Sequence, residues 1–226
     1  QHCCYIHSGE YFHGPFEATE PGVFYFVQLG AGECRPMEER ALAFLNTHTD
    51  TIMVLDALEY GVGEVPAGVA LSGANCQPGD VILVSGTLGD HGIAIMSQRE
   101  GLAFSSTIES DAAPLNRLIA DVLAAAPDTR CFRDPTRGGL ASTLNEFAQA
   151  SNVAMEVDED AVPVRPDVQA ACEMLGYDVL QVANEGKMVA VVPAEQADAA
   201  LSAMRAARYG ENAAIIGRVL PLAEGA

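Results

Sequence analysis

The chain has 226 residues, of which 49% are hydrophobic and 19% charged, and a formal net charge of −19. That is room for one large or two small domains with a genuine core, and too apolar for a disordered chain. The acidic balance disfavours nucleic acid and anionic lipid as partners, and no apolar run approaches the roughly 20 residues of a membrane span.

No basic-then-apolar leader opens the chain, so a soluble cytoplasmic protein is expected. Cysteines stand at 3, 4, 34, 76, 131 and 172 without paired C-x-x-C spacing, so reduced thiols fit better than a disulfide framework. The first sixty residues hold most of the Phe and His, with Gly and Pro recurring from Gly9 to Pro36 and a helical pattern only over Met37–Asn46. The composition then changes, which places a boundary between Asp56 and Gly63. The segment 1–60 reads as atypical, and 61–226 as a separate patterned domain.

From Gly61 the pattern is regular. Val81–Val84 follows Pro78-Gly-Asp80 and reads as a buried strand, with a turn over Gly86–Gly89. Asp90 can cap a helix to about Arg99, and Ser110 or Asp111 a second one carrying Leu115, Leu118, Ile119, Val122 and Leu123, with Pro114 in its first turns. The polar loop Arg133–Gly139 opens a helix from Gly139 to Ala150, and Val153–Val157 alternates as a strand. Pro166 starts a helix that Gly176 stops after Leu175. Met188–Val192 and Ala213–Val219 read as strands around a helix from Ala194 to Arg208. Strands alternating with helices predict a sheet covered by helices.

Three constellations could carry chemistry. Ser85-Gly-Thr-Leu-Gly-Asp-His-Gly92 joins a strand to a helix, where free backbone N–H groups can hold an anion. It matches neither the P-loop nor the dinucleotide fingerprint, and a tight turn is the plainer reading. Arg133-Asp-Pro-Thr-Arg-Gly-Gly139 packs two guanidinium groups, an acid and a hydroxyl beside two glycines at a helix start. Arg grips phosphate or carboxylate bidentately, Asp can hold magnesium, and glycine lets backbone approach a ligand. Asn184-Glu-Gly-Lys187 lies between the apolar segments Val179–Ala183 and Met188–Val192. Its Glu suits a general base and its Lys an anion stabiliser, against the alternative of a hairpin turn with a surface ion pair. His2, Cys3, Cys4, His7, His13 and Cys34 are metal-ligand types, but their spacing reads as accidental and no metal set is assigned. Cys172 reads as core; Cys131 adjoins the Arg-rich loop, with no His nearby in sequence to activate it.

The run Gly79–Gly92, Arg133–Gly139, Asn145-Glu146 and Asn184–Lys187, with Gly61-Val-Gly-Glu-Val-Pro-Ala-Gly68 and Leu71–Asn75 upstream, resembles the hydrogenase expression/formation protein family HypE from about Gly61 to Val219. The resemblance implies the aminoimidazole ribonucleotide synthetase-like fold, here its α/β (α+β type) three-layer α/β/α C-terminal domain. It implies ATP with Mg2+ and dehydration of a cysteine S-carboxamide to a thiocyanate, the cyanide precursor of nickel–iron hydrogenases. It further implies a homodimer, and a carbamoyltransferase and iron-centre scaffold proteins as partners. On the matching motifs it casts Glu185 as base, with Lys187 or Arg137 beside the developing charge. Asp90, His91, Gly92, Arg133, Asp134, Thr136, Gly138, Gly139 and Asn184 are expected along the nucleotide or tail channel. Residues 1–60 do not show the family's N-terminal nucleotide domain, the chain ends without a Pro-Arg-Ile-Cys-like tail, and Val179 stands where the family pattern has Pro. The expectation is thus a truncated chain, with a non-catalytic docking module or a sibling ATP-using enzyme such as selenophosphate synthetase as alternatives.

Overall fold

The computed structural model describes residues 23–27, 53–55, 60–64, 69–100 and 108–222. The helix expected over Met37–Asn46 and the His/Cys cluster before residue 35 lie outside them. The chain divides into two compact units, 1–69 and 70–226. In the first, β1 (Val23–Val27), β2 (Met53–Leu55) and β3 (Tyr60–Glu64) form an antiparallel sheet in the order β1-β3-β2.

The second unit is built on β4 (Val81–Val84), β5 (Cys131–Arg133), β6 (Val153–Val157), β7 (Val189–Val192) and β8 (Ala214–Pro221). Their order is β5-β7-β4-β8-β6, and every neighbouring pair is antiparallel. The helices are α1 (Asp90–Glu100), α2 (Asn116–Ala125), α3 (Gly139–Ser151), α4 (Pro166–Leu175) and α5 (Ala197–Ala206). Since β5 and β6 occupy opposite edges, α3 carries the chain across the whole sheet.

Strand alternation assigns the two faces. Ile82, Val84, Val189, Val191 and Ile216 point to the side of Leu140, Leu144 and Phe147 on α3. Leu83, Ala190 and Val192 point to the other side, against Leu118 and Val122 of α2 and Ala200 and Met204 of α5. Helices α1 and α4 pack on each other through Ile93, Ala94, Val168, Ala171 and Cys172, and Val164 and Val179 join that cluster to the α3 side. The result is the expected three-layer α/β/α arrangement. Both β4 and β7 are covered on both faces, so they read as continuous apolar runs.

Most element bounds agree with the sequence reading, and the departures have physical causes. Helix α2 begins at Asn116, with Leu115 as an uncapped N-cap and Pro114 outside it. Asp111, expected as a cap, instead takes an ion pair and a backbone N–H in the site described below. Within the apolar segment Val179–Ala183, Val179–Gln181 is a 3-10 turn closed by the Asp178 carboxylate accepting from the Leu180 N–H, so Asn184–Lys187 is a loop entering β7 and not the alternative hairpin. The helix expected from Ala194 is a 3-10 turn over Ala194–Gln196 before α5. Strand β5 has no counterpart in the sequence reading. Its three residues are too few for a periodic signal, and pairing with β7 defines it.

Candidate functional site

The three polar motifs meet on one side chain. Asn184 is fully buried, and its Oδ1 accepts the Gly89 N–H at 2.7 Å. Its Nδ2 donates to the carbonyls of Pro135 at 3.0 Å and Val182 at 2.9 Å, while its backbone N–H also donates to Pro135. One amide thus fastens the turn after β4, the Arg-rich loop and the approach to β7. Glycines make this closeness possible. A Cβ on Gly139, where φ is +62°, would lie 2.5 Å from the Leu180 carbonyl oxygen. Gly138 precedes it as the left-handed N-cap of α3.

Beside this hub, a cleft of about 270 Å³ opens at one end of the central strands. Because β4 is antiparallel to β7 and β8, its C-terminal end adjoins their N-terminal ends. Gly86 and Thr87 follow β4, Lys187 precedes β7, Tyr209, Glu211 and Asn212 precede β8, and the segment Ser110–Ala113 closes the side. Lys187 Nζ lies 3.2 Å from Asp111 Oδ2, and both side chains are nearly buried. Asp111 Oδ1 accepts the Glu185 N–H at 3.2 Å. This is what draws Asp111 away from capping α2: a buried ammonium needs a counter-charge more than a helix end needs a cap. The segment reaches this position only because residue 186 is glycine. A Cβ there would stand 1.7 Å from the Asp111 carbonyl oxygen.

Asp90 lies just behind. It is 4% exposed; Oδ2 accepts the Thr87 hydroxyl, while Oδ1 has Arg165 Nε at 3.8 Å and no hydrogen bond. Burial pushes this carboxyl above the usual carboxylate range, against the opposing pull of the Thr87 hydroxyl and the Lys187 charge. A buried acid that holds its proton more tightly than usual, next to a paired acid and base, can take part in proton traffic.

The structure places the other expected residues as follows. His91 shares a 2.8 Å hydrogen bond with Ser110 Oγ on the cleft wall. Gly92 packs against Val182 and donates its N–H to the Ala183 carbonyl. Arg133 forms a 2.7 Å ion pair with Glu146. Thr136 is buried, Asp134 and Glu185 are half-buried, and Arg137 is exposed. Lys187 alone of the three expected catalytic residues lines the cleft. Sequence reasoning passed over Tyr209, Glu211 and Asn212, and took Ser110 only as a candidate helix cap. The available signal was three polar positions around Gly210, between a helix and a strand. There Tyr209 adopts φ +73°, a strained conformation that concentrates at functional sites. Among the described residues no three His, Cys, Asp or Glu side chains are grouped to hold a metal ion, and no described helix is long and apolar enough to cross a membrane.

Residues 77–225 match the family model of the AIR synthase related protein, C-terminal domain. The chain belongs to that family. Within it the chain is similar to the carbamoyl dehydratase HypE of Azotobacter vinelandii, 58% identical over 160 residues that make up 71% of this chain and 47% of the relative. The Escherichia coli HypE is 42% identical over 71% of this chain and 47% of its own length. The crystal structure of a HypE in complex with ATP superposes with a TM-score of 0.70 at 48% identity, over 74% of this chain and 50% of that one. A HypE–HypF complex gives 0.70 at 44% identity, over 73% and 54%. This family member therefore spans about half the length of the curated relatives it matches.

Proposed function

We propose that residues 70–226 form the C-terminal part of an ATP-dependent carbamoyl dehydratase of nickel–iron hydrogenase maturation. The single observation that supports this most is the cleft: the Asn184–Lys187 loop, the turn after β4 and the Asp111 segment converge on one buried acid–base pair, in a chain similar to HypE.

The reaction needs an amide oxygen made into a leaving group and two protons taken from the amide nitrogen. The amide oxygen of the S-carboxamide attacks the γ-phosphorus, and ADP leaves. The carbon–oxygen bond then breaks and releases phosphate as the nitrogen loses both protons, leaving a carbon–nitrogen triple bond. A cleft of about 270 Å³ has room for a group the size of a carboxamide. Lys187, the one cation that lines it among the described residues, is paired with Asp111. The phosphates would need Mg2+ and an unneutralised cation, and exposed Arg137 is the residue of the described loop suited to that. Glu185 is the base in this reading by its place in the Asn184–Lys187 motif; its peptide N–H is held by Asp111 of the cleft wall, and its carboxylate is not itself part of the lining. Lys187 stabilises negative charge on the departing oxygen.

The test is single-turnover formation of thiocyanate from an S-carbamoyl cysteine with ATP–magnesium, in the intact parent polypeptide. Glu185→Gln should abolish the product while leaving the circular dichroism spectrum unchanged; an unimpaired rate removes Glu185 from the mechanism. A second reading, a docking module for a maturation partner, draws on the relative solved as a HypE–HypF complex. Calorimetric titration of the intact parent polypeptide with ATP–magnesium separates them, since binding supports the enzyme reading and its absence the module.

A further inference from the structure

Away from the cleft, Cys76 and Cys131 face each other with their sulfurs 3.7 Å apart. Both are free and buried, at 4% and 2% exposure. They come from segments far apart in sequence and locked together by other means. Arg130, beside Cys131, grips the Asp80 carboxylate through Nε and Nη2, and Ser72 N–H donates to the Arg130 carbonyl. Cys76 N–H is fixed on Ser151 Oγ. The two thiols are thus presented to each other by a braced frame rather than by chance contact of loose loops. Neither belongs to the chemistry proposed above.

From this geometry we propose that Cys76 and Cys131 are an oxidation site, a dithiol that a hydroperoxide closes to a disulfide within the folded chain. The thiols are unequal, and that sets the order of events. The hydrogen bond from Cys131 lowers the Cys76 thiol below its ordinary value. The same contact, with burial, raises Cys131. Cys76 lies in the turn before β4, where Ala74 and Gln77–Gly79 are exposed, whereas Cys131 begins a strand paired with β7. The Cys76 thiolate attacks one peroxide oxygen, a sulfur–oxygen bond forms, the oxygen–oxygen bond breaks, and the leaving hydroxide takes a proton. The Cys131 sulfur then attacks the sulfenic sulfur, loses its proton, and expels the hydroxyl as water. Two thiols and one hydroperoxide give one disulfide and two hydroxylic products, water in both cases for hydrogen peroxide. The two electrons come from the sulfurs. The new bond would tie the turn before β4 to the first residue of β5, the strand that leads into the Arg133–Gly139 loop.

Cys172, buried between α1 and α4 with its thiol raised by burial, serves as an internal control. The native chain is treated with hydrogen peroxide, denatured, alkylated, digested and mapped by mass spectrometry, with circular dichroism recorded throughout. A Cys76–Cys131 cross-linked peptide should form at least about tenfold faster than Cys172 is lost. It should vanish with dithiothreitol, while the fold stays intact. Cys76→Ser should leave Cys131 alkylated, but the wild-type map decides the matter without it. The proposal is overturned if both thiols are recovered free. It is equally overturned if the cross-link appears only once the chain unfolds, or if Cys76 goes on to the sulfinic acid without capturing Cys131.

Discussion

Asn184→Ala removes the one side chain shared by all three polar segments, so its cost can be worked out bond by bond. The Gly89 N–H loses its side-chain acceptor in a buried turn, a penalty of about 1–3 kcal/mol. The Val182 carbonyl loses a donor. The Pro135 carbonyl keeps the backbone N–H of residue 184 and loses little. The total is about 2–4 kcal/mol. With a urea slope of about 2 kcal/mol per molar, the unfolding midpoint should fall by about 1–2 M. Asn184→Asp should cost at least as much at neutral pH, because it sets a carboxylate oxygen against two carbonyls. It should recover on acidification, when a protonated acid can donate again. Equilibrium urea unfolding followed by circular dichroism measures both. A midpoint shift under about 0.3 M for the alanine variant would mean that water replaces the amide and that the three segments are not held by it.

Four further outcomes follow from the geometry. Gly186→Ala should push the Asp111 segment off the loop and lower stability by about 1–3 kcal/mol, read as a urea midpoint shift with more rapid proteolysis near Ser110. Asp111→Asn and Lys187→Met should each destabilise by about 2–3 kcal/mol by leaving a nearly buried charge unpaired, and the double variant should recover part of the loss in a thermodynamic cycle. Asp90, whose carboxyl is raised by burial, gives its full contribution below its ordinary value of 3.8 and loses it as pH rises through the raised folded-state value. Asp90→Asn should therefore gain stability relative to wild type from acidic to neutral pH, and parallel curves for the two proteins would refute this. By contrast, replacing exposed Arg218 or Glu156 by Ala should change stability by no more than about 0.5 kcal/mol, because their ion pair is open to solvent.

The layers of the fold were legible because strand and helix periods are written in the apolar residues. Val189–Val192 is apolar throughout since helices cover both its faces, and α3 announced itself by Leu140, Leu144 and Phe147. The joining of the motifs was legible only as co-occurrence. Nothing local in Asn184 says that it will bond Gly89 and Pro135, contacts that exist only after β4, β5 and β7 have paired. Asp111 was misread for the same reason. An acid before a helical run is a sound cap by local rules, and a buried lysine far along the chain overrode them. Tyr209, Glu211 and Asn212 became cleft residues through the position of β8 beside β4, which sequence spacing does not encode.

The electrostatics assign a division of labour. With a net charge of −19 and Lys187 as its one lysine, this chain is poorly endowed to attract a triphosphate by bulk field. That lysine is spent on Asp111, and Arg130, Arg133 and Arg165 are each matched to an acid: Asp80, Glu146 and Asp167. What the cleft offers instead is a nearly buried ion pair of Lys187 and Asp111 in its wall, beside which small shifts of a proton are more strongly felt than in open water. Asp90 adds a carboxyl whose protonated form is favoured by burial. In the proposed dehydration, such a site would serve the movement of protons on and off the amide, the half of the reaction that binding energy to ATP cannot supply.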